Sequence, residues 1–102
     1  MIPVLESRSA EIAEICRRFH VKRLDVFGSA ARESDFTEHS DIDLLVEYEA
    51  DEEAPRLKDF LELREALADV LGRKVDLIMA GAVRNPYIRA SIERSRQPLH
   101  GA

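Results

Sequence analysis

The stretch from Phe27 to Glu47, FGSAARESDFTEHSDIDLLVE, constrains this chain more than any other. It opens with Gly28-Ser29 at the end of one apolar run and closes with Asp41-Ile42-Asp43 at the head of another. In DIDLLV the side chains alternate. Ile42, Leu44 and Val46 share one face of a strand, while Asp41 and Asp43 share the other, about 6.5–7 Å apart along it. Carboxylates at that spacing repel each other unless cations lie between them. Hard oxygen ligands of this kind suit Mg²⁺, which keeps several waters and also takes oxygens from substrate phosphates. Gly28 lets the backbone approach a ligand closely, and Ser29 opens AARE, a first helical turn whose hydroxyl and N–H groups favour an anion. One short stretch therefore offers a phosphate cradle and a metal-binding acidic pair.

A lone Gly-Ser is a turn signal, and a lone D-x-D is usually a solvated strand edge. The order strand, Gly-Ser, helix, loop, D-x-D, strand is far more specific. It resembles the DNA polymerase β-like nucleotidyltransferase superfamily, and the forms GSAAR and SDIDLLV resemble its small bacterial branch, the MNT (minimal nucleotidyltransferase) domains. The motif spans residues 24–47, and the element order extends the resemblance over nearly the whole chain.

The remainder of the chain reads as a single domain over residues 1–102. With 45% hydrophobic and 34% charged residues it has the composition of a soluble globular protein. No apolar run approaches the ~20 residues of a membrane span, and MIPVLESRSAE carries acid too early for a signal peptide. A single cysteine excludes an internal disulfide and fits a reducing cytoplasm.

Periodicity predicts helices over 3–19, 29–34, 55–71 and 83–95, and strands over 21–27, 41–48 and 74–79. Residues 49–54, EADEEA, read as a solvated acidic linker. The fold class is α/β (α+β): a short mixed three-stranded sheet flanked by helices, in the order αβαβαβα. For Gly28 and Ser29 to meet Asp41, Asp43 and Asp76, the carboxylate that the resemblance places on the third strand, strands two and three must run parallel and strand one antiparallel to them. The 55–71 helix then supplies the crossover.

Several residues carry chemistry by type alone. Cys16 falls on the apolar stripe of the first helix and reads as a small buried hydrophobe. His20 ends that helix, as a cap or a surface residue. His39 lies in the polar loop 34–40 without a second histidine or cysteine at zinc-ligand spacing, and reads as a loop residue. Arg32, one turn into the helix after Ser29, is either a phosphate contact or a surface arginine. Arg84, Arg89, Arg94 and Arg96 make the C-terminal end basic in a chain of net charge −5. They form either a solvated cationic face or a contact for an acidic or phosphate-bearing partner.

The resemblance implies a function. It places the third metal-binding carboxylate on the next strand after a helix, hence on Asp76 in VDL. Asp41, Asp43 and Asp76 would then be the catalytic and metal-binding residues for two Mg²⁺ ions. Gly28, Ser29 and Arg32 would bind the nucleotide, with ATP as substrate. The chain has neither added nucleic-acid domains nor a basic groove, which argues against a polymerase and against direct nucleic-acid binding. A domain this bare must borrow its acceptor surface. The family implies a protein acceptor, a HEPN ribonuclease toxin encoded by a neighbouring gene, with AMP moved from ATP to a toxin tyrosine. The alternative is a non-catalytic antitoxin that masks its toxin by binding; a weaker reading is a nucleotide sensor. The sequence departs from the commoner motif in one place: Glu33 stands where glycine often does, which puts the loop geometry in question.

Overall fold

The computed structural model describes residues 1–50 and 55–101, so most of the acidic linker 49–54 lies outside the described residues. Its centre is a mixed sheet. β1 (Val21–Phe27), β2 (Ile42–Tyr48) and β3 (Val75–Met79) are joined by a fourth strand, β4 (Gln97–His100), in the order β3-β2-β1-β4. β1 pairs antiparallel with β2, and β2 pairs parallel with β3, as the site geometry required. The helix α4 (Leu57–Leu71) makes the crossover between the parallel pair and ends at Gly72, whose φ of 68° gives the left-handed C-terminal turn.

Strand alternation sorts the sheet into two faces. Leu24, Val26, Ile42, Leu44, Val46, Val75 and Leu77 are buried on one. Against them pack α1 (Pro3–Ser7), α2 (Ser9–Arg18) and α4, through Leu5, Ile12, Ile15, Cys16, Leu63, Leu67 and Leu71. The other face carries Asp25, Asp43, Leu45, Asp76 and Ile78. The helix α5 (Pro86–Ser95) covers part of it, with Ile92 buried there. The main core therefore lies on one side of the sheet, and the second face is only partly covered.

Three expectations change. The helix expected over 3–19 is two helices, because Arg8 takes a non-helical φ/ψ of −107°/18° between them. The break lets Ile2 and Leu5 reach the core as well as Ile12, Ile15 and Cys16, and the Ile2 N–H donates to the Ala30 carbonyl at 2.8 Å. The helix expected over 83–95 starts at Pro86, since the Asn85 side chain accepts the Tyr87 and Ile88 N–H groups and caps it. The sheet has four strands rather than three. QPLH has no alternation, and Pro98 speaks against a strand, but β4 lies at the sheet edge, where a proline is tolerated.

Candidate active site

β2 delivers Asp43 into the middle of the site. In the strand register it stands opposite Phe27 of β1 on one side and Asp76 of β3 on the other. Asp41 precedes β2 by one residue and lies 3.9 Å from the Lys74 Nζ, a loose surface pair. The Asp43 carboxyl is pushed up to about 6, first by burial, then by the charges of Asp76 and Asp41, with Arg32 pulling the other way. The fold thus brings Asp41, Asp43 and Asp76 within electrostatic reach of one another.

Gly28 borders this carboxylate. It sits at φ 67°, ψ −150°, and a Cβ on it would lie 2.5 Å from Asp43 Oδ2. Glycine is therefore demanded twice, by the backbone conformation and by the closeness of Asp43. The Gly28 carbonyl accepts the N–H groups of Ala31 and Arg32, each at 3.1 Å, and turns the chain into α3 (Ser29–Arg32). That helix is a single turn, so any anion site here rests on the Ser29 hydroxyl and the loop rather than on a long helix dipole. Ser29, the next residue, is half-buried.

Arg32 points its guanidinium at Asp35, with bonds of 2.7 and 3.2 Å, and is exposed. It remains near enough to Asp43 to lower that carboxyl's pKa. Glu33 ends α3 at φ 70°, which accounts for the commoner glycine at this position, and its carboxylate holds the N-terminal amine at 3.3 Å. The loop turn is thus made with Glu33 in place. His39 is exposed, 3.5 Å from Glu38, and joins no site. Cys16 is buried on α2, and burial pushes its thiol up to about 11, away from any nucleophilic role at neutral pH.

Among the described residues no group of three acid, histidine or cysteine side chains forms a ready-made metal site. The donor set nevertheless fits Mg²⁺. All three residues offer hard oxygens, and Asp43 is held at a raised pKa first by burial and then by the charges of Asp76 and Asp41. Mg²⁺ is ordinarily bound by one or two carboxylates, substrate phosphates and water rather than by an all-protein cage.

Sequence reasoning missed Asp25, Ser95, Arg96 and Gln97. Asp25 is wholly buried and held by Arg96 and Arg23. A lone aspartate between Leu24 and Val26 was a signal for a buried partner, but nothing in the sequence said which arginine would answer it. Beside this pair, Leu45, Val83, Arg89, Ile92 and Glu93 line a cavity of about 210 Å³ on the same sheet face. Of the C-terminal arginines, Arg96 is therefore a structural ion-pair partner, while Arg84, Arg89 and Arg94 are exposed.

Comparisons with known proteins identify the family and the fold. Residues 9–99 match the nucleotidyltransferase domain family, and the chain belongs to it. A Methanocaldococcus jannaschii protein provisionally named a protein adenylyltransferase is 46% identical over 92 residues, covering 82% of this chain and 90% of that one. A solved structure provisionally described as a minimal nucleotidyltransferase superposes with a TM-score of 0.74 at 34% identity, covering 92% of this chain and 91% of the other. A chain from the solved complex of a tri-AMPylated Shewanella oneidensis HEPN toxin with an MNT antitoxin gives a TM-score of 0.66 at 21% identity, covering 96% and 73%. The last likeness is one of fold alone. The chain is a nucleotidyltransferase of the minimal type.

Proposed function

We propose that this nucleotidyltransferase transfers AMP from ATP to a tyrosine of a protein partner, a HEPN-type toxin, in a Mg²⁺-dependent reaction, and so acts as an antitoxin. The observation that carries the reading is the position of Asp43. It faces Asp76 across the parallel pair, feels the charge of Asp41, and abuts a glycine turn that opens onto Ser29. Three carboxylates gathered on one sheet face beside a glycine turn suit metal-assisted phosphoryl chemistry. The relative named as a protein adenylyltransferase supports a protein acceptor, and the toxin–antitoxin complex of the same fold supports the partner class.

Asp41, Asp43 and Asp76 would hold the metal ions. When bound, these neutralise phosphate charge and acidify the attacking hydroxyl. The Gly28 turn sets the direction of the loop, and Ser29 binds and orients the triphosphate beside Asp43. The acceptor oxygen forms a bond to the α-phosphorus while the bond to the bridging oxygen of the β-phosphate breaks, and pyrophosphate leaves. Asp76, the most exposed of the three, takes the hydroxyl proton.

A second reading, neutralisation by binding alone, is favoured by the outer surface of α5, where Tyr87 is 85% and Ile88 51% exposed. One experiment separates the two. The chain, ATP and Mg²⁺ are incubated with the protein encoded beside it, and the partner's intact mass is measured. Catalysis adds ~329 Da for each AMP left after pyrophosphate departs, and does so when this chain is substoichiometric. An unmodified partner, together with full protection of cells by an Asp41→Asn/Asp43→Asn variant, establishes the mask instead.

A further inference from the structure

Three consecutive residues at the junction of α5 and β4 hold three points around the Gly28 turn. The Ser95 Oγ accepts the Gly28 N–H at 3.0 Å. The Arg96 guanidinium grips Asp25 Oδ2 at 2.6 and 2.7 Å. The Gln97 Nε2 donates to the Ala31 carbonyl at 3.2 Å. Asp25 precedes the turn in β1, Gly28 is the turn, and Ala31 follows it in α3. These contacts therefore bracket the turn from before, at and after, and each joins residues more than sixty positions apart in sequence.

The arrangement is built to hold position. Asp25 is fully buried and is also paired with Arg23 at 2.9 Å, so Arg96 is fixed on a carboxylate that cannot swing into water. The Ser95 hydroxyl can donate to the Ser91 carbonyl at 3.4 Å, which leaves its oxygen to accept from Gly28. Gly28 needs such an anchor. At φ 67°, ψ −150° its backbone has no intrinsic preference to hold, because glycine visits this region no more readily than several others. Fixing its N–H fixes the peptide plane before it and the direction in which Ser29 leaves it.

We infer that Ser95, Arg96 and Gln97 form a latch that positions the Gly28–Ser29 loop for the nucleotide. They are positioning residues, and the inference rests on the reading of that loop as the triphosphate site. It also changes the expected contact with the phosphates. The Gly28 N–H is committed to Ser95, so the Ser29 hydroxyl and the backbone beyond it carry the contact.

The test uses the whole chain and mild substitutions, since Arg96→Ala would strand the buried Asp25. In Ser95→Ala, amide exchange of Gly28 in the nucleotide-free protein should quicken about tenfold, the loss of roughly one hydrogen bond. The dissociation constant for ATP, titrated in excess Mg²⁺, should rise by a similar factor. Ser95→Thr should restore both, and Gln97→Ala should move both in the same direction. A purely structural role would lower the melting temperature and leave the ATP affinity of the folded protein alone. Unchanged Gly28 exchange in Ser95→Ala overturns the latch whatever the affinity does. Faster exchange with unchanged ATP affinity overturns its role in nucleotide positioning. A wild-type protein that binds no ATP with Mg²⁺ removes the transfer reading, and the positioning role with it.

Discussion

Asp43 and Asp76 stand directly opposite each other on adjacent parallel strands, on the sheet face turned away from the hydrophobic core. Neighbouring strands lie about 4.8 Å apart, so two carboxylates in register cannot ignore each other's charge. The raised pKa of Asp43 follows from burial first and from this neighbour second.

Asp43→Asn should abolish nucleotidyl transfer without destabilising the metal-free fold. Because the folded-state pKa of about 6 lies above the ordinary aspartate value of 3.8, the native protein binds the proton more tightly than the unfolded chain. This residue's stabilising contribution is thus present below the lower value and is lost as pH rises toward the upper one. Melting temperatures of wild type and variant, measured without metal, should diverge in the variant's favour between these pH values. A variant that melts well below wild type at pH 7 would mean that Asp43 is a structural partner.

ATP should bind more tightly with Mg²⁺ than without it, because substrate oxygens and protein carboxylates complete the ion's coordination together. Calorimetric titration of the wild-type chain in Mg²⁺ and in EDTA checks this. Equal affinities in the two conditions would count against the acidic trio as the metal-binding set.

Gly28→Ala should cost about 1–3 kcal/mol of stability, since alanine at a positive φ is strained. Its methyl would also lie within 2.5 Å of Asp43 Oδ2 and displace that carboxylate. Urea denaturation gives the first effect and nucleotide affinity the second. Wild-type values for both would show that the turn relaxes without consequence.

Asp25→Ala should destabilise the fold by about 3–5 kcal/mol, the usual result of leaving buried charges without their partner. Arg23 and Arg96 both lose their carboxylate, and Arg96 is only 21% exposed. Urea denaturation measures the loss. A change under about 1 kcal/mol would mean that water or Glu93 replaces Asp25 fully.

Cys16 should resist thiol reagents in the native protein at pH 8 and react at once in denaturant. It is fully buried, and its thiol is shifted up to about 11. Labelling followed by mass measurement checks this, and rapid native labelling would show that α2 opens locally.

The sequence by itself determined the elements that depend on local pattern. Alternation around Ile42, Leu44 and Val46 fixed which face of β2 is core and so put Asp43 on the other. The glycine before Ser29 marked the turn, and the convergence required of that turn and the carboxylates implied the parallel pair, with the helix before β3 as its crossover. Asp41 and Asp43 were legible as a spaced acidic pair, whereas Asp76 came from the family resemblance and not from any local pattern. The tertiary structure decided what no local pattern carries. Pro98 conceals β4, which exists only because β1 has an edge to offer it. The partners of Asp25, Gly28 and Ala31 lie more than sixty residues away, and side-chain hydrogen bonds across such a distance leave no periodicity to read. Arg96 looked like one of four similar surface arginines. Only the packing of α5 against β1 brought it to a carboxylate that burial had deprived of water, and there an unpaired charge would have been costly.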